Sequence, residues 1–333
     1  MPDRSDFDPA ALREPREFHP VDIDILGIGL EIGAETQGTE MGWKAMRLAG
    51  LHRGLAAIGH RVRDRGMIAE AGPAAPVAMA PALAARCRHL GEIGAWVRTI
   101  HDRALALARE GGVPIFIGGD HSISMGTVSA MARARAEEGR RLAVLWLDAH
   151  ADYNTPETSP SGNLHGMALA LLTGEPGLAP LLDRPFPAVA QGLTHVFGAR
   201  SIDPEERLRL RADGIDVVDM RQIDERGVST LMAERIALWQ AEGVDLHVSL
   251  DVDFLDPSVA PGTGTVVPGG ATYREAHLVM EMLHDSGLVR SLDVVELNPF
   301  LDERGRSALV MTELVASLFG RTVFDRPRRP AGA

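Results

Sequence analysis

Short apolar runs recur along the chain, separated by stretches with helical spacing. They are VDIDILGIGL at 21–30, VPIFIG at 113–118, RLAVLWLD at 141–148, THVFGAR at 194–200, DLHVSLD at 245–251 and VRSLDVVELN at 289–298. Such runs predict strands, and the helical stretches between them predict a mostly parallel sheet. Several runs are apolar at consecutive positions, the pattern of strands covered by helices on both faces. The expected fold is α/β, a three-layer α/β/α sandwich.

Leu83, Leu90, Ile93, Val97, Ile100, Ala104 and Leu107 follow one buried helical face, and Gly111-Gly112 stops it. Thr272 with Glu275 makes a capping box ahead of Leu278, Val279 and Met280, which predicts a helix near 273–286. Further helices are predicted at 43–58, 124–138, 204–212, 229–241 and 312–319. Proline and glycine are spread through the connections, with no internal repeat. The expected organisation is one domain over 21–321, a polar tail at 1–20 and a loose tail at 322–333.

The 333 residues, 45% apolar and 24% charged, suffice for a continuous core, which excludes disorder as the overall state. With 34 basic against 46 acidic side chains the net charge is −12, so the basic footprint of a nucleic-acid binder is missing and no nucleic-acid partner is expected. No stretch reaches about 18 uninterrupted apolar residues, and the first twenty mix charges and prolines without the apolar core of a secretory signal. The reading is cytoplasmic, with no membrane partner. The single Cys87 has no partner for an internal disulfide and is read as structural.

Acidic and histidine residues collect at the carboxyl ends of the strands. VPIFIG runs into Gly119-Asp120-His121, VLWL into Asp148-Ala149-His150-Ala151-Asp152, DLHVSL into Asp251-Val252-Asp253, and SLDVV into Glu296-Leu297-Asn298. Ligands of open parallel sheets bind outside those ends, so four segments deliver polar groups to one rim. The alternation within Asp148, His150 and Asp152, and within Asp251 and Asp253, puts each set on one face if the chain there is extended. With His121, two imidazoles and four carboxylates converge, enough for two divalent ions. Oxygen and nitrogen donors without thiolate favour Mn²⁺ over structural zinc, although donor type alone does not fix the ion. Taken alone, Gly118-Gly119-Asp120-His121 also fits a turn whose carboxylate caps the following helix.

A metal pair suits hydrolysis, because bound water loses a proton near neutral pH. The loop from Asn154 to His165 offers amide and hydroxyl donors suited to a carboxylate, and His165 titrates in the range of an acid, base or proton shuttle. No glycine-rich phosphate cradle accompanies them, which argues against a phosphohydrolase.

At these residues the sequence resembles the ureohydrolases, the family of arginase and agmatinase, and is most like arginase. The matches are Gly118-Gly119-Asp120-His121-Ser122, Asp148-Ala149-His150-Ala151-Asp152, Ser249-Leu250-Asp251-Val252-Asp253-Phe254-Leu255-Asp256-Pro257 and Gly262-Thr263-Gly264-Thr265, in order between Gly38-Thr39-Glu40-Met41-Gly42 and Glu296-Leu297-Asn298-Pro299. The resemblance implies a binuclear manganese cluster with His121, Asp148, Asp152 and Asp251 on one ion, and His150, Asp148, Asp251 and Asp253 on the other. It further implies that Asp152 steers a metal-bridging hydroxide and passes its proton to the leaving amine, that His165 shuttles protons, and that Glu296 pairs with a guanidinium substrate beside Thr265.

By the same resemblance Asn154, Ser159 and Ser161 belong to a loop for an α-carboxylate, while Asp203 takes the α-ammonium, helped by Glu206 through water. The implied reaction is L-arginine and water to L-ornithine and urea. The alternative is another ureohydrolase, acting on agmatine or on a guanidino acid such as 4-guanidinobutyrate. A homotrimer or homohexamer is implied as well. Three positions depart from mammalian-type arginases: Ser159 replaces threonine, Ser201 replaces an aspartate, and Phe254 replaces a glycine at what the resemblance makes the pocket edge.

Overall fold

The computed structural model describes residues 20–323. In chain order its elements are β1 (Asp22–Ile28), α1 (Gly42–Leu48), α2 (Leu51–Ala57), β2 (Arg61–Ile68), α3 (Pro81–Ala84), α4 (Leu90–Arg109), β3 (Val113–Ile117), α5 (Ile123–Glu137), β4 (Leu142–Leu147), α6 (Ala168–Leu172), β5 (Thr194–Ala199), α7 (Pro204–Asp213), β6 (Asp216–Asp219), α8 (Met220–Arg226), α9 (Val228–Glu242), β7 (Asp245–Asp251), α10 (Tyr273–Ser286), β8 (Val289–Val295) and α11 (Arg306–Leu318). The strands form one sheet in the order β2-β1-β3-β8-β7-β4-β5-β6, and every pairing is parallel. The sandwich expected from the sequence is the fold found. The expected tails lie outside the described residues except for Pro20, Thr322 and Val323.

Helices α4, α5 and α6 pack among themselves, and α2, α11, α10 and α9 form a second set, so the sheet lies between two helical layers. Strands β4, β5 and β7 are buried along their whole length, which accounts for the unbroken apolar run of β4. The chain leaves β3 and re-enters at β4, with β8 and β7 later filling the gap between them. That reversal of winding opens a crevice at the carboxyl ends of the four central strands, and the acidic motifs fall there.

The sheet has two strands that apolar patterning does not mark. β2 reads RVRDRGMI because it is an edge strand: Arg63 and Arg65 reach across to the buried Asp24 of β1, at 2.7 and 2.6 Å. Burial alone raises the pKa of Asp24, but the two guanidiniums outweigh it and hold the carboxyl below its usual value. β6 is short and closes the other edge. Charged or brief edge strands resist pairing with a second chain.

The helix predicted over 43–58 is two helices, because Gly50 adopts a left-handed backbone at φ 96 that an L side chain strains to follow. Leu83 belongs to the separate α3, α8 had no signal, and α11 begins several residues ahead of the predicted 312. The predicted capping box at the start of α10 is present in both directions.

The α4–α5 contact is close enough that Gly126 has no room for a methyl group: an added Cβ would sit 2.7 Å from the Ile100 side chain and 2.8 Å from the Val97 carbonyl. Gly126→Ala is expected to destabilise the protein by about 1–3 kcal/mol, the usual penalty of overpacking a dense core. An unchanged urea unfolding midpoint would refute that close approach.

Candidate active site

His121 follows β3, and its ring is fixed on two sides. It stacks on Trp146 of β4 with centroids 4.0 Å apart, and its Nε2 lies 2.7 Å from Ser249 Oγ of β7. A hydrogen bond at Nε2 leaves Nδ1 as the ligating nitrogen. That Nδ1 lies 3.0 Å from Asp148 Oδ2, 3.0 Å from Asp152 Oδ2 and 3.1 Å from Asp251 Oδ2. His150 Nδ1 lies 3.0 Å from Asp253 Oδ2 and 3.4 Å from Asp148 Oδ1. Two triads result, His121–Asp148–Asp251 and His150–Asp148–Asp253, with Asp148 in both.

The aspartates reach this point by local turns. Asp148 Oδ1 accepts the His150 N–H, Asp251 Oδ1 accepts the Asp253 N–H, and Asp253 Oδ1 accepts the Ala149 N–H. Val252–Phe254 is a 3₁₀ turn, so alternation in extended chain is not what aligns Asp251 with Asp253. Aspartates that accept the amide two residues on favour such turns, and the Ala149–Asp253 bond links the two loops. Asp152 completes the group from a left-handed backbone at φ 49.

The donor set fits divalent metal. His121 Nδ1 and Asp148 Oδ2 are buried and 3.0 Å apart, yet neither makes a well-directed hydrogen bond, as expected of atoms that share a third target. Burial and the neighbouring aspartates push the carboxyls of Asp251, Asp152 and Asp253 above their usual range. Burial alone would lower the imidazoles, but the carboxylates raise His121 well above its usual value and push His150 up to about 12. Asp148, between both rings, is held far below the usual range despite its burial. Buried like charges at this spacing call for a cation.

Glu296, just past β8, also has a left-handed backbone, at φ 60. Its Oε1 accepts the His121 N–H at 2.8 Å and meets His165 Nδ1 at 3.0 Å. Burial alone would raise Glu296 and lower His165, but each shifts the other past that effect: the carboxyl falls below its usual range and the imidazole rises to about 9. Asp120 is not among the triads. Its carboxylate closes a turn by accepting the Ser122 N–H and also accepts the Gly33 N–H at 2.7 Å, while the helix that follows has no side-chain cap at Ser122. Gly33 O in turn accepts the His165 N–H at 3.3 Å. Burial and the charge of Glu296 push Asp120 up to about 6. Sequence reasoning missed Gly33, which no motif marks.

The cluster floors a cleft of about 630 Å³ whose wall includes Asn154, Ser159, Ser161, His165, Asp203, Glu206, Thr265 and Glu296. Of the ligand, catalytic and substrate-binding residues that the resemblance implies, all line it except Asp253, which stands behind His150 and accepts the Thr265 hydroxyl at 2.9 Å. Asn154 Nδ2 donates to Asp203 at 3.0 Å, and its Oδ1 accepts from Thr158 at 3.0 Å. Glu206 caps α7 with Asp203, accepting the Tyr153 and Asp203 N–H groups. Its burial, helped by the charge of Asp152, pushes it up to about 7.

Two of the departing positions separate here. Ser201 lines the cleft beside Asp203, whereas Phe254 does not. Phe254 is fully buried against Phe197, and it occupies the space that a Cβ on Gly198 would need. The expectation that Phe254 reshapes the pocket edge is therefore corrected: its ring packs into the core. Asn163, which sequence reasoning placed only within the Asn154–His165 loop, lines the cleft as well.

An all-parallel α/β sandwich with histidines and aspartates massed at its switch point defines the class, a candidate metal-dependent hydrolase. The Arginase family model matches residues 21–320. The arginase of Agrobacterium fabrum is 48% identical over 316 residues, 95% of this chain and 96% of that protein. The arginase of Brucella melitensis is 48% identical over 305 residues, 91% and 97% of the two chains. Among solved structures, that of Bacillus caldovelox arginase superposes with a TM-score of 0.83 at 38% identity, covering 91% of this chain and all of that one. The chain belongs to the arginase family, and it is an enzyme that hydrolyses an amidine C–N bond.

The His165–Glu296 pair sets a pH dependence for the chelated protein. A histidine raised from 6.5 to about 9 on folding contributes stability that is full below pH 6.5 and fades as pH rises through about 9. His165→Asn is expected to flatten that decline in unfolding free energy. An equal decline in both proteins would remove the pair as its source.

Proposed function

We propose that the chain hydrolyses L-arginine to L-ornithine and urea, with two Mn²⁺ as cofactor. The observation that carries this reading is the cleft itself, a buried carboxylate–imidazole cluster on its floor and a wall of Asn154, Ser159 and Ser161 near Asp203. The relatives at 48% identity, named arginases, support it.

His121, Asp148, Asp152 and Asp251 would hold one ion, and His150, Asp148, Asp251 and Asp253 the other. When bound, the ions supply a water that is deprotonated near neutral pH and a site for developing negative charge. Glu296 has an oxygen beyond the one bonded to His121 and His165, and it pairs with the planar edge of the guanidinium. The α-carboxylate lies against Asn154, Ser159 and Ser161, and the α-ammonium against Asp203, with Glu206 acting through water. Held at both ends, the substrate presents its central carbon in one orientation. A C–O bond to water forms and the C–N bond to the ornithine nitrogen breaks. Asp152 carries the proton that this nitrogen needs, and His165 exchanges it with solvent. Thr265 steadies Asp253 through its hydroxyl.

A second reading, a ureohydrolase for agmatine or a guanidino acid such as 4-guanidinobutyrate, is kept by Ser201, which lines the wall beside Asp203 without the charge of an aspartate. On the same footing we propose residues 21–321 as one catalytic domain, a cytoplasmic location and a homotrimer or homohexamer. No helix among the described residues is long and apolar enough to cross a membrane.

Urea release after chelation and stepwise Mn²⁺ reloading tests the reading, with agmatine and 4-guanidinobutyrate in parallel. Activity is expected to saturate at two Mn²⁺ per chain, with kcat/KM highest for L-arginine; better use of agmatine would overturn the role given to Asn154, Ser161 and Asp203. Asp152→Asn is expected to keep the circular dichroism of the parent and to lose about 100-fold or more in kcat, the scale of general acid–base catalysis. Turnover near that of the parent would refute its part in proton transfer.

A further inference from the structure

Ser159, Ser161 and Asn163 line the cleft from a loop that has no helix or strand of its own. Part of its shape is internal: the Gly162 N–H donates to Ser159 Oγ at 2.9 Å, and the Asn163 N–H to Ser161 Oγ at 3.2 Å. The rest comes from a remote stretch, the link between α3 and α4. Arg86 Nη2 donates to the Glu157 carbonyl at 2.7 Å, the Arg88 N–H to the Gly162 carbonyl at 2.9 Å, and Arg88 Nη1 to Asn163 Oδ1 at 3.4 Å. The two backbones touch. Gly162 has φ 74, and a Cβ there would lie 2.4 Å from the Arg86 carbonyl oxygen.

These contacts decide which atoms the wall presents. Each serine oxygen accepts a hydrogen bond from the loop, which leaves its O–H available to donate to a group bound in the cleft that both serines line. A guanidinium only donates, so Arg88 requires Asn163 to offer it the carbonyl oxygen. The Asn163 Nδ2 donors are then left for the cleft. Three side chains thus present hydrogens in one place, which suits a carboxylate, and the positive charge of Arg88 stands directly behind one of them.

We propose that Arg88, seconded by Arg86, is a positioning residue that sets this wall for a substrate carrying a carboxylate, although neither arginine lines the cleft. The inference deepens the function proposed above and rests on it. Arg88 is exposed, so its replacement leaves the core untouched.

The test measures kcat and KM of the Mn²⁺-loaded enzyme for L-arginine and agmatine, and the Kd of L-ornithine by calorimetry. Arg88→Met is expected to raise KM for L-arginine and Kd for L-ornithine by about fivefold, the equivalent of one hydrogen bond, with kcat within about a factor of two and agmatine unaffected. Arg88→Lys, which keeps charge and donors, should recover most of the loss. Gly162→Ala, which forces the loop off the Arg86 carbonyl, should give the same split more strongly. Unchanged KM and Kd in Arg88→Met overturn the inference, as does an equal loss with L-arginine and agmatine, which would make the link a general support. If the unaltered enzyme prefers agmatine, the proposed substrate itself falls, and that result is read before any variant is made.

Discussion

Asp148, Asp152, Asp251 and Asp253 lie almost out of water at the ends of adjacent parallel strands, an arrangement that mutual repulsion would disperse if nothing opposed it. Two imidazoles oppose it in part, and the raised carboxyls of Asp251, Asp152 and Asp253 show that they do not suffice. The surrounding fold is shaped by this demand. Strands β3, β8, β7 and β4 are neighbours, so one sheet edge brings all four acidic segments to one place. Trp146 and Ser249 then lock His121 in place, backbone amides within the turns fix Asp148 and Asp251, and the Ala149 N–H ties Asp253 to the neighbouring loop. A rigid frame lets the charges stay close when folding alone would part them.

Backbone strain also reaches this edge. Asp152 and Glu296, the two carboxylates proposed to handle the proton and the guanidinium, both take left-handed backbone conformations. For residues other than glycine this costs roughly 1 kcal/mol or more each, and it persists only where the surroundings determine it. At Glu296 the surroundings are visible: its N–H donates to the Gly119 carbonyl at 3.0 Å, and its side chain accepts the His121 N–H. The carboxylate therefore faces the cleft from a position that β8, continued straight, would not supply.

The architecture was legible in the sequence because parallel strands buried on both faces must be apolar throughout, and six of the eight announce themselves in that way. β2 and β6 did not. An edge strand that answers the buried Asp24 with arginines alternates charge where the others alternate nothing, and a four-residue strand has too few positions to show a pattern. The clustered histidines and aspartates were legible for a related reason, since ionisable residues directly after an apolar strand have few uses apart from a site. What stayed hidden depends on contacts between distant segments. Gly33 bracing Asp120, Phe254 filling the space over Gly198, and Arg86 lying against Gly162 leave no periodic trace, because each is a matter of where two backbones meet.

That last contact separates the tasks of the cleft. The carboxylate–imidazole cluster sits on strand ends that the sheet holds rigid, whereas the wall proposed to face the distal end of the substrate is a loop held by the link between α3 and α4. Arg88 touches the wall through Asn163 and makes no contact with Asp148, His121 or Asp251 that would set their spacing. On the proposed function, substrate preference can therefore shift without disturbing the cluster, since the two are fixed by different parts of the chain. The reverse does not hold: a displaced aspartate would move charge in a dry, crowded site, where every neighbour responds.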